Sequence, residues 1–487
     1  MILAENEHRI LDLPLMEAAG HFEENVLAAD IHLHGYLLLS GKRIVREKYF
    51  APYGKESLHR MYSVTKSFVS MAVGLLIREG KINLADKICD YFPEYTKDVT
   101  IHPWCRRMTI EDMLTMRTCY RGTTSSRYPS RDWTESFFRV EPDHIPGTVF
   151  AYDTSATNTL TALIEKLTER KLLDYLRDNC LRELGFSEEA YMIPDPTGVS
   201  QGGSGLMCTL RDVACAAYLC NHFGQSEGRE LLPKEYMMRA VSPIVPTDLQ
   251  PVQDEKCGYG YFFWMPRKEG FCMYGMGGQL ALCFPKKDFC LLTMADTIGN
   301  PSGLQVLYDC FYHYIYPMLE DRPDENPLAF SGNRTGESAE CAIFPDRLSE
   351  NKIYHFWPNV MGLKTLSVLL PKETEGIDRE QILQIGNETG DWMIRCGVGF
   401  WREGQLPASG GNCLCRADWK KGHLLVQVYA TGEEQGHICI DFVFLEGELS
   451  LRVVGVGAPL FEKWNGFASA AMQFLRRGLP NGCEWEG

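Results

Sequence analysis

The sequence predicts an α+β fold: an antiparallel sheet flanked by helices with an all-helical subdomain, followed by a small antiparallel β-barrel or sandwich. Three observations carry that reading. Strand-like runs stand near both ends of the first 320 residues, with helical periodicity between them. The segment EDRPDENPLAFSGNRTGESAE, rich in Pro, Asn, Gly and acid, then breaks the pattern. Beyond it the chain alternates apolar and polar residues in short runs. At 487 residues the chain exceeds what one hydrophobic core serves. Two domains are therefore expected, residues 1–320 and 341–487, joined by a linker over 321–340.

The elements follow in order. IHLHGYLLLSGKRIVREKYF (31–50) is two β-prone runs around Ser40-Gly41-Lys42, a hairpin signal. Phe68, Met71, Ala72, Leu75 and Leu76 recur at helical spacing, so a buried helix runs from near Ser63 to Gly80. Further helices are predicted at 108–116, 155–169 and 209–223, strands at 258–265, 278–285 and 289–296, and a last helix at about 301–319. In the second domain Ile438, Ile440, Phe442 and Phe444 alternate, Glu446-Gly447 turns the chain, and Leu449, Leu451 and Val453 alternate again.

Composition narrows the chemistry. A formal net charge of −15 without a compensating basic run excludes nucleic acid as a partner. No segment reaches the roughly 20 apolar residues of a membrane span, and the N-terminus lacks a basic stretch followed by an unbroken apolar one. A cytoplasmic protein with no membrane partner is expected. The 18 cysteines are scattered through apolar runs and read as reduced, buried thiols. Cys413 and Cys415 lack a second ligand pair at zinc spacing, and His32 and His34 share a strand face without acidic or thiol companions. Neither metal nor cofactor is expected.

Ser63 and Lys66 in HRMYSVTKSF are the candidate chemistry. Positions i and i+3 share a helix face, so hydroxyl and amine can meet. At a helix start the serine N–H is free to face an oxyanion, and a lysine beside an apolar face is desolvated toward its neutral, proton-accepting form. The spacing alone is weak, since SENK places Ser349 three before Lys352 in a polar stretch. Downstream companions decide the matter.

MYSVTKSFVSMAVGLLIREGKINLADKICDYFPEY resembles the opening of the serine β-lactamase and penicillin-binding-protein-like hydrolases, in particular the class C, esterase and nylon-oligomer hydrolase branch. PGTVFAYDTSATNTLTALIEKLT resembles that family's tyrosine motif, GGSGLMCTLRDVACAAYL its glycine-rich stretch, and YGMGGQLALCFPKKDF its third catalytic strand. The resemblance spans about residues 20–318 and implies a β-lactamase/transpeptidase-like first domain. It implies Ser63 as the acylated nucleophile and Lys66 and Tyr152 as the acid/base pair, with either as formal base. It also implies an oxyanion hole from the Ser63 and Gln279 N–H groups.

Two departures from the family pattern matter. The third motif reads Met276-Gly277-Gly278 where β-lactamases carry Lys-Thr-Gly, and a thioether cannot pair with a substrate carboxylate. The second motif ends in Thr154 rather than Asn, leaving a hydroxyl in place of an amide. The resemblance then implies a small-molecule ester or amide as substrate, with weak or no β-lactamase activity. An alcohol or amine as acyl acceptor is the alternative outcome of the same acyl-enzyme, and a D-amino-acid peptidase, a β-lactamase or a binding protein without catalysis are further alternatives. Trp133, Tyr128 and Trp264 lie in segments that border the cleft in the family and are candidate walls. The C-terminal region resembles the lipocalin-like domain that some members append; it is expected to narrow the cleft or mediate a homodimer. Trp357, Trp392, Trp401 and Trp419 are expected to fill its core.

Overall fold

The computed structural model describes residues 13–51, 53–97, 100–297, 302–320, 352–369, 380–387, 390–406, 410–420, 422–430, 437–445, 448–456, 464 and 466–473. The chain divides into two compact units, one of Met1–Thr118, Gly122–Glu141 and Phe150–Asn333, the other of Cys119–Arg121, Pro142–Val149 and Arg334–Gly487. The expected linker, 321–340, lies outside the described residues.

The first element among the described residues is a helix absent from the sequence expectations, α1 (Leu13–Ala28), whose Leu15, Ala18, Ala19, Phe22 and Val26 form one buried face. The expected hairpin follows as β1 (His32–Ser40) and β2 (Arg43–Tyr49), turned at Gly41 with φ +58°. Tyr36 of β1 and Arg46 and Lys48 of β2 converge on Glu23 of α1. Burial pushes the Glu23 carboxyl up, but those donors outweigh it and hold the group below its usual range.

The long helix expected after Ser63 is α2 (Thr65–Arg78), buried at every position from Thr65 to Leu76, which makes it the hub of the unit. The expected helices at 155–169 and 209–223 are α3 (Thr154–Thr168) and α4 (Leu210–Asn221), capped by Asp153 and Thr209. The helix expected at 108–116 shortens to Ile110–Leu114 under a Thr109 capping box.

Three further strands complete the sheet: β3 (Phe271–Gly275), β4 (Gln279–Phe284) and β5 (Phe289–Asp296). All neighbours are antiparallel, in the order β2, β1, β5, β4, β3, so the N-terminal hairpin pairs with the last strand and β3 is left at an edge. α4 packs on β1, β4 and β5.

Two expectations need correction. The strand expected at 258–265 is a turning segment with isolated bridges at Tyr259 and Trp264, broken by positive φ at Gly258 and Phe262. The edge strand is instead β3, a few residues on. The region between the outer strands is not all helix either, because His59–Arg60, Leu206–Cys208 and Tyr191–Met192 form a small antiparallel sheet. That small sheet proves important for the candidate site.

His34 Nδ1 lies 2.8 Å from His59 Nε2 and its ring stacks on Tyr53, while His32 is exposed. Burial and the neighbouring His59 pull the His34 imidazole down to about 4, against the attraction of Asp296. Among the described residues no group of three or more His, Cys, Asp or Glu could hold a metal. The described cysteines are free thiols, buried except Cys257 and Cys310. No helix among the described residues is long and apolar enough to cross a membrane.

The second unit is an up-and-down barrel. Consecutive strands pair antiparallel from Lys352–Phe356 to Gly390–Val398 and again from Arg402–Gln405 to Gly466–Gln473, and the first and last strands pair with each other. A short parallel pairing of Gly390–Val398 with Asn412–Lys420 closes the ring of nine strands, while Arg402–Gln405 pairs outside it. Closure leaves no open edge in the ring. The expected alternation is realised, with Ile438, Ile440, Phe442, Leu449, Leu451 and Val453 all in the core. Cys413 and Cys415 point into that core beside Trp419. Of the four tryptophans expected there, Trp419 is buried and Trp392 packs against the core, stacked on the buried Trp464. Trp357 and Trp401 are exposed, because each falls in a bend just outside a strand, where alternation no longer sets which way a side chain faces.

Candidate active site

Ser63 sits in a 3₁₀ turn, Tyr62–Val64, that runs directly into α2. The turn is strained: Tyr62 has φ +46°, a region that costs a non-glycine residue about 1 to 3 kcal/mol. Neighbours hold it there. Thr65 Oγ1 donates to the Tyr62 carbonyl at 2.6 Å, and Met61 N donates to the Leu206 carbonyl at 2.9 Å. His59–Arg60 is paired with Met207–Cys208, so the small sheet fixes the approach to Ser63 from both sides of the turn.

Lys66, on the first turn of α2, is 1% exposed. Its Nζ donates to Ser63 Oγ at 3.0 Å and to the Gly203 carbonyl at 2.6 Å. Burial pulls the amine down to about 7, against the attraction of Asp153. A lysine held in that range carries a large neutral fraction near neutrality, and a neutral amine can accept a hydroxyl proton.

Tyr152 reaches the same place from the residues before α3. Ser63 hydrogen-bonds its hydroxyl, and Lys66 Nζ lies 5.0 Å from its ring centroid. Burial raises this phenol well above its ordinary range, so it stands as a neutral donor. The three residues that the family resemblance singled out, Ser63, Lys66 and Tyr152, are thus brought into contact from two helix starts 89 residues apart in sequence.

Asp153, which sequence reasoning passed over, ties these groups together. It caps α3 by accepting from Ser155 N at 2.8 Å, and it accepts from Thr118 Oγ1 at 3.2 Å. Its burial is complete, which pushes the carboxyl up to about 7 despite those bonds and the attraction of Lys66. The signal was available, since Asp-Thr-Ser before an apolar helical run is an N-cap pattern. Thr154 follows as the first residue of α3, part-buried.

The glycine-rich stretch earns its glycines at two positions. A Cβ on Gly202 would stand 1.8 Å from Thr161 Oγ1, and one on Gly203 would stand 2.2 Å from Thr154 Cγ2. The backbone therefore lies flat against α3, and Asn158 Oδ1 holds Gly203 N at 2.9 Å. This close approach is what delivers the Gly203 carbonyl to Lys66.

The third motif is placed differently from its sequence reading. Met276, Gly277 and Gly278 form the turn between β3 and β4 rather than a strand, with φ +87° and +89° at the two glycines and Met276 half exposed. Gln279 opens the inner strand β4, registered opposite Gly275, and is buried. Its side-chain amide donates to the Met276 and Ala295 carbonyls at 3.0 and 2.8 Å, which fastens the turn. The backbone that meets the serine belongs to Gly275: a Cβ there would lie 2.2 Å from Met61 O and 3.1 Å from Ser63 N. The residue following that approach is Met276, at the start of the turn that leads to Gln279.

Of the candidate walls, Trp264 is brought to the site, stacked on Tyr152 with centroids 5.6 Å apart. Trp133 and Tyr128 are part-buried on a segment fastened to the start of α3, where Thr124 N donates to Ser155 Oγ at 2.6 Å. Among the described residues no hydrogen bond or ring stacking joins either of them to Ser63, Lys66 or Tyr152.

The family model described as Beta-lactamase matches residues 35–305. A 6-aminohexanoate-dimer hydrolase of Paenarthrobacter ureafaciens is 25% identical over 201 residues, which are 37% of this chain and 49% of that protein. The chain thus spans about half the length of this curated relative. Among solved structures, a putative beta-lactamase from Bacteroides dorei DSM 17855 superposes with a TM-score of 0.51 at 14% identity, covering 63% of this chain and 99% of its own. The structure of SurE superposes with a TM-score of 0.52 at 15% identity over 90% of this chain and 97% of its own. These two likenesses concern the fold. With the family model matching more than half of its length, and with a serine, lysine and tyrosine gathered at the start of a buried helix, the chain belongs to the beta-lactamase family.

Proposed function

We propose that the protein is a serine hydrolase that cleaves small ester or amide substrates through a Ser63 acyl-enzyme. The observation that carries the reading is the 3.0 Å contact between Ser63 Oγ and a wholly desolvated Lys66 amine. Neutral Lys66 accepts the Ser63 proton as Oγ attacks the carbonyl carbon. The oxyanion is met by the Ser63 N–H and, given the approach of Gly275, by the N–H of Met276. Tyr152, kept neutral by burial, donates its proton to the departing alcohol or amine. Water then attacks the acyl carbonyl with the same groups acting in reverse.

The half-exposed Met276 at the turn supplies no cation for a substrate carboxylate. That supports esters and amides over penicillins. The likeness to a protein named for 6-aminohexanoate-dimer hydrolysis is in keeping with an amide-cleaving centre. Intact mass spectrometry after exposure to a fluorophosphonate, with a panel of p-nitrophenyl acyl esters, tests the reading. The wild type should gain one adduct at Ser63 and hydrolyse part of the panel, and Ser63→Ala should do neither. A wild type that stays unlabelled and inert sinks the proposal.

A further inference from the structure

The outer face of the barrel buries two serines. In the paired strands Glu448–Val456 and Gly466–Gln473, alternation turns Leu449, Leu451, Ala468 and Ala470 into the core, so Ser450 and Ser469, opposite one another in register, face outward. Both are nevertheless buried, at 0% and 3% exposure. The segment that meets them is Pro142–Val149, which belongs to the same compact unit as the barrel and stands just before Tyr152 in the chain. Ile145 N donates to Ser450 Oγ at 2.9 Å, and Ser469 Oγ donates to the Asp143 carbonyl at 3.3 Å. The two hydroxyls are 3.0 Å apart. With the Ser469 proton given to Asp143, the proton between them comes from Ser450, so one relay runs from the Ile145 N–H through both serines to the Asp143 carbonyl. His144, between the two gripped residues, is buried and stacks on Phe467 with centroids 5.0 Å apart.

The gripped segment leads with little play to the acid/base groups. Asp143 N and His144 N donate to the Cys119 carbonyl at 2.8 and 3.3 Å, and Arg121 N donates to Asp143 Oδ2 at 3.0 Å. At the other end of the same two runs, Ala151 N donates to the Met116 carbonyl at 2.8 Å and Thr118 Oγ1 donates to Asp153 Oδ2 at 3.2 Å. Residues 116–121 and 143–153 are thus laced together at both ends, with Tyr152 between two of the fastened residues. Pro146 fixes its own φ, and Thr148 Oγ1 donates to the Ile145 carbonyl at 2.6 Å, which stiffens the stretch between. A displacement at Asp143–Ile145 is therefore passed along the backbone to Tyr152. Misplacing a proton donor by about 1 Å can cost about 100-fold in rate, however remote the change that causes it.

We propose that Ser450 and Ser469 are positioning residues for Tyr152, through which the barrel keeps that phenol within reach of the leaving atom. Neither serine touches the reacting groups; both act through the backbone of residues 143–153. This gives the barrel a part in proton delivery, which is distinct from narrowing the cleft or joining two copies of the chain. The inference rests on the hydrolase reading, in which Tyr152 protonates the leaving group.

The experiment uses the full-length chain and two esters of one acid, taken from those the wild type hydrolyses: the p-nitrophenyl ester, whose phenolate departs without a proton, and the ethyl ester, whose alkoxide needs one. In Ser450→Ala, kcat/KM for the ethyl ester should fall about tenfold or more beyond any fall for the p-nitrophenyl ester. Ser469→Ala breaks the same relay from its other end and should shift the ratio in the same direction, which keeps the test open if one variant does not fold. Trp419→Phe, which removes a hydrogen bond to Gln381 inside the barrel, should leave the ratio of the two esters unchanged. Equal losses for the two esters, no loss in folded variants, or the same ratio change in Trp419→Phe overturns the inference. Failure of both serine variants to fold overturns it as well, since the serines would then serve folding. Fluorophosphonate labelling of the wild type reads the hydrolase proposal separately: a wild type that labels at Ser63 while the ratio stays fixed refutes the positioning role alone.

Discussion

The carbonyl of Gly203 accepts a 2.6 Å hydrogen bond from Lys66 Nζ, the same amine that reaches Ser63 Oγ. The glycine-rich stretch therefore aims the lysine, because a buried amine with two fixed acceptors has little freedom to turn away. A Cβ at Gly203 would stand 2.2 Å from Thr154 Cγ2 and 3.1 Å from Asn158 Oδ1, so Gly203→Ala must move the loop off α3. Ester hydrolysis by Gly203→Ala should fall by about 100-fold, chiefly in kcat, since a misplacement near 1 Å is enough for such a loss. Steady-state kinetics beside Gly198→Ala, where a Cβ meets nothing but backbone strain, separate the two effects. Equal losses in both variants would count against the aiming role.

Gly275 offers a sharper steric test. Its added methyl would press on backbone, at Met61 O and Ser63 N, and backbone cannot rotate aside as a side chain can. Gly275→Ala should lower the rate of fluorophosphonate labelling by about 100-fold or more, the size of loss seen when an oxyanion donor is displaced. A variant that melts like the wild type and labels at the normal rate would show that β3 does not border the oxyanion position.

The Lys66 and Asp153 pair sets a pH dependence. Burial depresses Lys66 to about 7, so the neutral amine is gained as pH rises, and kcat/KM should climb through about pH 7 to a plateau. Asp153 favours the charged amine, so replacing it with a neutral group lowers the lysine further. Asp153→Asn, which can still cap α3, should therefore move the acidic limb to lower pH. A limb that stays in place, or moves upward, would assign the titration to another group.

Asp254 anchors the short 3₁₀ segment Gln253–Cys257. Its side chain is fully buried against Arg267, which is itself only 26% exposed. Asp254→Asn leaves the guanidinium short of a counter-charge, and about 3 kcal/mol of stability should be lost. Denaturant unfolding followed by tryptophan fluorescence should show the unfolding midpoint moving to lower denaturant. An unmoved midpoint would mean that Asp309, which Arg267 also contacts at 2.5 Å, suffices as its partner.

Much of the fold was legible because each signal was local. Period-2 alternation at Ile438, Ile440 and Phe442 gave the barrel strands, and the Phe68, Met71, Leu75 spacing gave α2. The α1 face of Leu15, Ala18, Ala19, Phe22 and Val26 was equally readable and was passed over. β3 was harder, since FCMYG is five residues long and sits next to the more strand-like GYGYFFWM, which positive φ at Gly258 and Phe262 bends into a turn.

The sequence by itself determined the candidates for acyl chemistry: Ser63, Lys66 and Tyr152, in that order, in motifs that resemble one family. Only the tertiary structure decided how they are tuned and aimed. The pKa of Lys66, the reach of Asp153, the carbonyl of Gly203 and the approach of Gly275 all depend on burial and on segments far apart in the chain meeting. Desolvation and close backbone contact are properties of the packed neighbourhood, so no local pattern of side chains could specify them.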